Sequence, residues 1–346
     1  MPEIDVEDLS SKLASALAGN LSKIVTVSPL EDHSKCYDIE IRENKFFGVF
    51  RSSSKVSQVS RAIEEGRQVI KEKDKNSSLL VIVPYMGEVG RERCQKENVS
   101  WLDLSGNASI NEDNLTIHIE GKENKYKRPG RPSNLFAPKS SRVARFLFIH
   151  HGESFKQSKI AEGTDLGKGY VSKIINGMEE EDLVVKDSGG VRVRDPDLLL
   201  DAWREEYNFT SHEIIKGTVP AKSGKDAMKQ VVTLFEKQNY EYAATGLVAG
   251  WCYTKFADFR TASFYVPFPV TDTVEAELGF QEGAKGANLW LVSPKDNWVM
   301  DGSKEVEGVE CVHPVQGYLD LVSGHPERSK EVAEELRKEF LTWDNG

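Results

Sequence analysis

SSRVARFLFIHHGESFKQSKIAEGTDLGKGYVSKIINGMEEEDLVVKDSGGVRVRDPDLLLDAW, residues 140–203, is the stretch on which the reading of this chain turns. Val143, Phe146, Leu147 and Ile149 fall at helical spacing, and Gly152 ends that first helix. A second, short helix is expected from Lys156 to Glu162, with Ile160 and Ala161 turned inward. TDLGKG then reads as a glycine-containing turn that tucks in Leu166. A third helix follows from about Gly169 to Glu181, with Val171, Ile174, Ile175 and Met178 on its apolar face. LVVKDSGGVRVRD closes the stretch as two alternating strands around Asp187-Ser188-Gly189-Gly190, a hairpin signal.

Helix, helix, turn, helix and hairpin in that order describe a winged helix–turn–helix, expected over residues 140–210. Burying the apolar stripe of the third helix leaves Lys168, Tyr170, Ser172, Lys173 and Asn176 outside. Those types suit the major groove of double-stranded DNA: Lys meets phosphate or guanine, Asn pairs with adenine, Ser and Tyr reach bases or backbone. Lys186, Arg192 and Arg194 decorate the hairpin, where backbone contacts would fall.

Upstream, residues 122–139 form a basic, proline-rich linker, with Pro129, Pro132 and Pro138 forbidding a continuous helix. Lys122, Lys125, Lys127, Arg128, Arg131, Lys139, Arg142 and Arg145 stand against Glu123 alone, in a protein whose net charge is −10. Such concentration is the expected electrostatic footprint for phosphate. RPGRP, carrying Arg128 and Arg131, is one residue off the core of an AT-hook and suits the minor groove.

The length of 346 residues suggests two or three domains. No apolar run approaches a membrane span, and the acidic, polar start MPEIDVEDLSSKL is unlike a secretory leader, so a cytoplasmic, nucleoid-associated protein is expected. Cys36, Cys94, Cys252 and Cys311 form no zinc-type spacing and read as reduced thiols; no metal and no cofactor is expected.

Residues 1–121 read as an α/β domain. A first helix carries Leu9, Leu13 and Leu17; CYDIEI and FFGVF are strands; helices cover about 56–73 and 88–96; LLVIV (79–83) is a buried strand, and WLDL, SGNASI and LTIHIE are short strands. The order resembles the restriction-endonuclease-like, or PD-(D/E)XK, fold. Such enzymes hold a metal with an acid on the second strand and an acid-x-Lys on the third. Asp38 and Glu40 supply the first, but the third strand reads Val49-Phe50-Arg51; Asp103 with Glu120-Gly121-Lys122 is a late, second candidate. Residues 211–346 read as a nucleotidyltransferase-like α/β domain, with Thr245-Gly246 as the turn before a helix and Ser263-Phe264-Tyr265-Val266 as the next strand. Two metal-binding carboxylates belong on that strand, whereas Asp258 precedes it and Asp272 follows it. Both frames therefore read as degenerate, and no enzymatic activity is expected.

VPYMGEVGRERC and VSWLDLSGNASI in the first domain, KGYVSKIINGMEEEDLV and DLLLDAW in the middle, and YAATGLVAG, HPVQGYLDL and EVAEELRKEF in the last occur in an order that resembles AbiEi-type antitoxins of type IV, abortive-infection toxin–antitoxin systems. The resemblance runs from about Leu79 to Leu341. It implies a transcriptional autorepressor that binds an inverted repeat in its own promoter and neutralises a nucleotidyltransferase toxin without a stable complex. The alternatives are an orphan winged-helix transcription regulator without a toxin, and a metal-dependent nuclease using Asp38, Glu40 or Asp103.

Overall fold

The structure is a computed structural model that describes residues 11–12, 25–30, 35–72, 77–127, 134–267, 269–283, 285–324 and 329–343. The chain forms two compact units, residues 1–131 and 132–346, both of mixed α/β construction. The helix expected around Leu9, Leu13 and Leu17 falls almost wholly outside the described residues.

The first unit is a seven-stranded sheet whose strands lie in chain order: β1 (Val25–Pro29), β2 (Cys36–Ile41), β3 (Asn44–Phe50), β4 (Ser78–Val83), β5 (Ser100–Asp103), β6 (Ala108–Glu112) and β7 (Leu115–Ile119). The outer pairs are antiparallel and joined by short turns. The central β3–β4–β5 are parallel, which requires crossovers. Helices α1 (Val56–Glu72) and α2 (Glu88–Lys96) supply them. β4 is buried on both faces, as its unbroken apolar run demands. Leu80 and Ile82 face Ile39, Phe46 and Ile110; Leu79, Val81 and Val83 face Val59, Ile63 and Cys94. SGNASI differs from expectation: Ser105–Asn107 make a turn held by Asp103, and the strand starts at Ala108.

In the second unit α3 (Ser141–Ile149), α4 (Gln157–Gly163) and α5 (Lys168–Glu180) precede the hairpin β8 (Val184–Asp187) and β9 (Gly190–Val193), then α6 (Pro196–Glu206). Asp195 caps α6 by accepting from the Leu198 N–H, and Pro196 takes the first helical position, where no N–H is needed. The remaining chain builds β10 (Glu213–Thr218), α7 (Gly224–Gln238), β11 (Ala243–Thr245), α8 (Gly246–Thr254), β12 (Ala262–Tyr265), α9 (Thr271–Leu278), β13 (Gln281–Glu282), β14 (Leu289–Ser293), β15 (Lys304–Val306), β16 (Val309–Cys311), α10 (Pro314–Gly324) and α11 (Ser329–Phe340). Its seven-stranded sheet has the order β13-β10-β14-β12-β11-β16-β15, with β12–β14 and β11–β16 parallel.

Residues 140–210 and 211–346 share this one compact unit. Arg142 of α3 grips Asp296 through Nε and Nη2, at 3.0 and 2.8 Å. Arg337 of α11 reaches Asp197 and Asp201 of α6, at 3.0 and 2.9 Å. Phe148 of α3 packs on Trp343, with ring centroids 5.5 Å apart. Among the described residues no helix is long and apolar enough to cross a membrane.

Candidate nucleic-acid interface

α4, a four-residue turn and α5 are built much as the periodicity predicts, with one difference in mechanism. The left-handed residue of the turn is Asp165 (φ 51°), not a glycine. Asp tolerates that conformation better than most side chains. Gly167 is extended and caps α5. A Cβ added at Gly167 or at Gly169 would meet nothing within 4 Å, so packing inside the protein asks for neither glycine.

α5 buries Val171, Ile174, Ile175 and Met178, and leaves Lys168, Tyr170, Lys173 and Asn176 exposed with Ser172 half-buried. Lys168 and Lys173 have no ion-pair partner among the described residues. Tyr170 keeps its ring in solvent while its hydroxyl shares a 2.7 Å hydrogen bond with Ser140. Charge is segregated along the helix: lysines lead, and Glu179, Glu180, Glu181 and Asp182 trail. The positive end of the helix dipole coincides with the lysines.

The hairpin turns on Ser188-Gly189, with Asp187 paired to Gly190. Gly190 is required: its φ is 134°, and a Cβ there would lie 2.4 Å from the Phe155 carbonyl oxygen. Asp187 accepts from the Gly189 and Gly190 N–H groups, and these bonds, with Arg192, hold its carboxyl below the usual range. The cations of this hairpin are already engaged by acids. Lys186 pairs with Glu179 at 2.5 Å and donates to Asn176 Oδ1 at 2.6 Å. Arg192 pairs with Asp187 at 3.3 Å and Arg194 with Asp182 at 3.2 Å.

Two cations of the basic run from Lys122 to Arg145 are engaged inside the second unit. Arg142 is spent on Asp296, and Arg145 is only 2% exposed, stacked over the Trp203 ring at 5.1 Å. Lys122, Lys125 and Lys127 are exposed in the first unit and Lys139 in the second; Arg128 and Arg131 lie outside the described residues.

The residues expected of a nuclease do not converge. Asp38 and Glu40 point outward from β2, and Arg51, which replaces the lysine, is ion-paired with Glu65 of α1. Asp103 is fully buried and committed to its own turn. It accepts from the Ser105, Gly106 and Asn107 N–H groups at 2.9 Å, from the Met86 N–H at 3.0 Å and from Asn107 Nδ2 at 2.8 Å. Glu120 is drawn to Arg91, 3.5 Å away, and Lys122 meets the turn through its backbone, its N–H donating to Asn107 Oδ1 at 2.8 Å.

In the second unit Thr245 and Gly246 do open α8, and β12 follows. Asp258 pairs with Lys225 at 2.6 Å, and Asp272 is exposed on α9. Sequence reasoning missed Asp320 of α10, a fully buried carboxyl aimed at the same turn and strand. Thr245 and Tyr207 hydroxyls donate to it, as do the Tyr265 hydroxyl at 3.0 Å and Gln316 Nε2 at 2.7 Å. Burial pushes the Asp320 carboxyl up to about 6, against the pull of these four donors. Among the described residues, Arg145 Nε and Nη1 find no hydrogen-bond acceptor, and burial draws its pKa down against the raising influence of Tyr207, Tyr265, Asp320 and Asp301. The nearby His212 and His313 are each pushed down to about 4, chiefly by burial. No group of three or more His, Cys, Asp or Glu that could hold a metal occurs among the described residues. No known protein family, curated protein or solved structure matches the chain.

Proposed function

We propose that the chain is a DNA-binding transcriptional regulator, with residues 140–210 as its winged helix–turn–helix. The observation that carries this reading is the leading end of α5. Lys168 and Lys173 stand exposed and unpaired there, beside two glycines that leave the backbone open to close approach. A phosphate fits that arrangement: helix N–H groups, the dipole and lysine charge all favour an anion. Lys173, Ser172 and Asn176 follow into the groove, while the trailing acids stay away from the phosphates. Lys186, Arg192 and Arg194 of the hairpin flank the backbone, and Arg128 and Arg131 of the linker add contacts without sequence preference.

The likeness to AbiEi-type antitoxins makes this regulator an autorepressor of a type IV toxin–antitoxin operon, acting against a nucleotidyltransferase toxin in the cytoplasm. The two α/β frames, nuclease-like and nucleotidyltransferase-like, serve no catalysis in this reading, since Asp103 and Asp320 are saturated by the protein's own donors. Selection of bound fragments from genomic DNA with purified protein tests the proposal. Enrichment of an inverted repeat upstream of its own gene is expected; recovery of no preferred fragment overturns it. Incubation with plasmid, or with labelled nucleotides and RNA, in magnesium or manganese is expected to give no turnover.

A further inference from the structure

A second charged feature lies in the α/β part of the second unit, where β10 ends, α7 begins and β12 and β14 start. A cleft of about 610 Å³ opens there, lined among others by Lys216, Lys222, Arg260, Thr261, Asn288 and Trp290. That volume is in the range of small-molecule sites, roughly 300–1,000 Å³. The charge on its wall is of one sign: three cations and no carboxylate among the lining residues.

Arg142, Arg337 and the cations of the β8–β9 hairpin are closely paired with acids. Lys216, Lys222 and Arg260 have no ion-pair partner among the described residues. Lys216 is held in position by an aromatic face: its Nζ lies 4.1 Å from the Trp290 ring centroid, across the strand pair β10–β14. Asp226, four residues on from Lys222, accepts the Lys222 N–H at 2.8 Å, and its carboxyl is held below the usual range first by that bond, with the Lys222 charge contributing from beyond ion-pair distance; Asp258, two residues before Arg260, is paired with Lys225. Asn288 is likewise committed, both its amide ends bonded to the Val219 backbone at 2.8 and 2.9 Å. The Thr261 hydroxyl, by contrast, has only a 3.5 Å contact to the Ala287 carbonyl and is available to a ligand. The three cations line one cleft with no carboxylate in its wall, and an anion of charge −2 or more offsets that excess of positive charge. The start of α7 adds its dipole in the same sense.

We infer that this cleft binds a small polyphosphate, either inorganic pyrophosphate or the phosphate chain of a nucleotide, held by Lys216, Lys222 and Arg260. The inference is independent of the DNA-binding reading, because no lining residue belongs to α5 or the hairpin.

The test is titration of the full-length protein with pyrophosphate, with a nucleoside triphosphate, with sulfate, and with a short duplex, read by calorimetry and by thermal shift. Pyrophosphate or the triphosphate is expected to bind and raise the unfolding midpoint, and comparing the two separates a phosphate site from a nucleotide site. Lys222→Ala with Arg260→Ala, both on exposed side chains, should weaken that binding at least tenfold, leaving the duplex titration unchanged. No binding of either phosphate at millimolar concentration overturns the inference, as does equal binding by the double variant. Binding by sulfate as tight as by pyrophosphate shows an adventitious ion only. A double variant that loses duplex affinity instead makes the cleft part of a DNA contact, and this too overturns the proposal.

Discussion

The leading end of α5 and the polar cluster around Asp320 use charge in opposite ways. In the cluster, four donors converge on one carboxylate, and the neighbouring histidines are neutral because burial penalises their charged form. At α5, Lys168 and Lys173 sit in solvent with no acid beside them, and the adjoining glycines leave space that no side chain of the protein fills. The first arrangement spends its carboxylate on the protein's own donors, although Gln316 Oε1 and two nitrogens of Arg145 find no partner among the described residues. The second is incomplete and gains from an external anion. Asp103 belongs with the first kind, and the β8–β9 hairpin lies between the two, its cations already paired.

If that contrast holds, the largest effect belongs to Asp103→Ala. It strands four buried N–H groups at once, and the first unit should lose about 4 kcal/mol of stability. Denaturant unfolding measures this, and a loss below about 1 kcal/mol would mean that the turn tolerates its absence. Asp320→Ala should cost the second unit about 3 kcal/mol, because its donors are side chains that can reorient.

Acidification sharpens the picture. His212 and His313 fall from 6.5 to about 4 on folding, so the stability they contribute is present above pH 6.5 and is lost as pH falls toward 4. Asp320 is raised to about 6, so its contribution is present at low pH and is lost as pH rises through 6. The two histidines outweigh the one carboxyl, and the unfolding midpoint should drop between pH 6.5 and 4. His313→Gln should flatten the drop and Asp320→Asn should steepen it; a wild-type midpoint that rises over this interval contradicts the assignment.

Lys168→Ala with Lys173→Ala should leave the fold intact and weaken duplex binding by about 2 kcal/mol, roughly thirtyfold, at moderate salt. The smallest expected effect is a gain. Glu179→Gln releases Lys186 from its 2.5 Å ion pair, and affinity for random duplexes should rise about twofold. Weaker binding would mean that Glu179 positions Lys186 for its phosphate.

The elements of α3 to β9 were legible because their apolar residues keep strict helical and alternating periods. Val171, Ile174, Ile175 and Met178 are all buried where spacing predicts, and Asp187 to Gly190 form the hairpin turn. Partnerships across long stretches of chain were not legible. Arg142 meets Asp296, 154 residues away, and Tyr207 meets Asp320, 113 residues away. Local charge counting therefore assigns Arg142 and Arg145 to phosphate, when one is an internal clamp and the other stacks on the Trp203 ring. The turn before α5 misled for a different reason: glycine is the usual left-handed residue, but Asp165 holds that conformation here while Gly167 caps the helix. Asp103 was visible as a letter, but its five bonds depend on a turn that the alternating pattern of ASI disguised as strand.

The dependence of duplex affinity on salt tests the central claim most directly, with the wild type and the Lys168→Ala, Lys173→Ala variant compared on the same selected fragment between about 50 and 200 mM salt. Each phosphate contact contributes about 0.9 to the slope of log affinity against log salt, so removing both lysines should shallow that slope by about 1.8. An unchanged slope and affinity, with folding intact, would contradict the account and move the DNA contact away from α5.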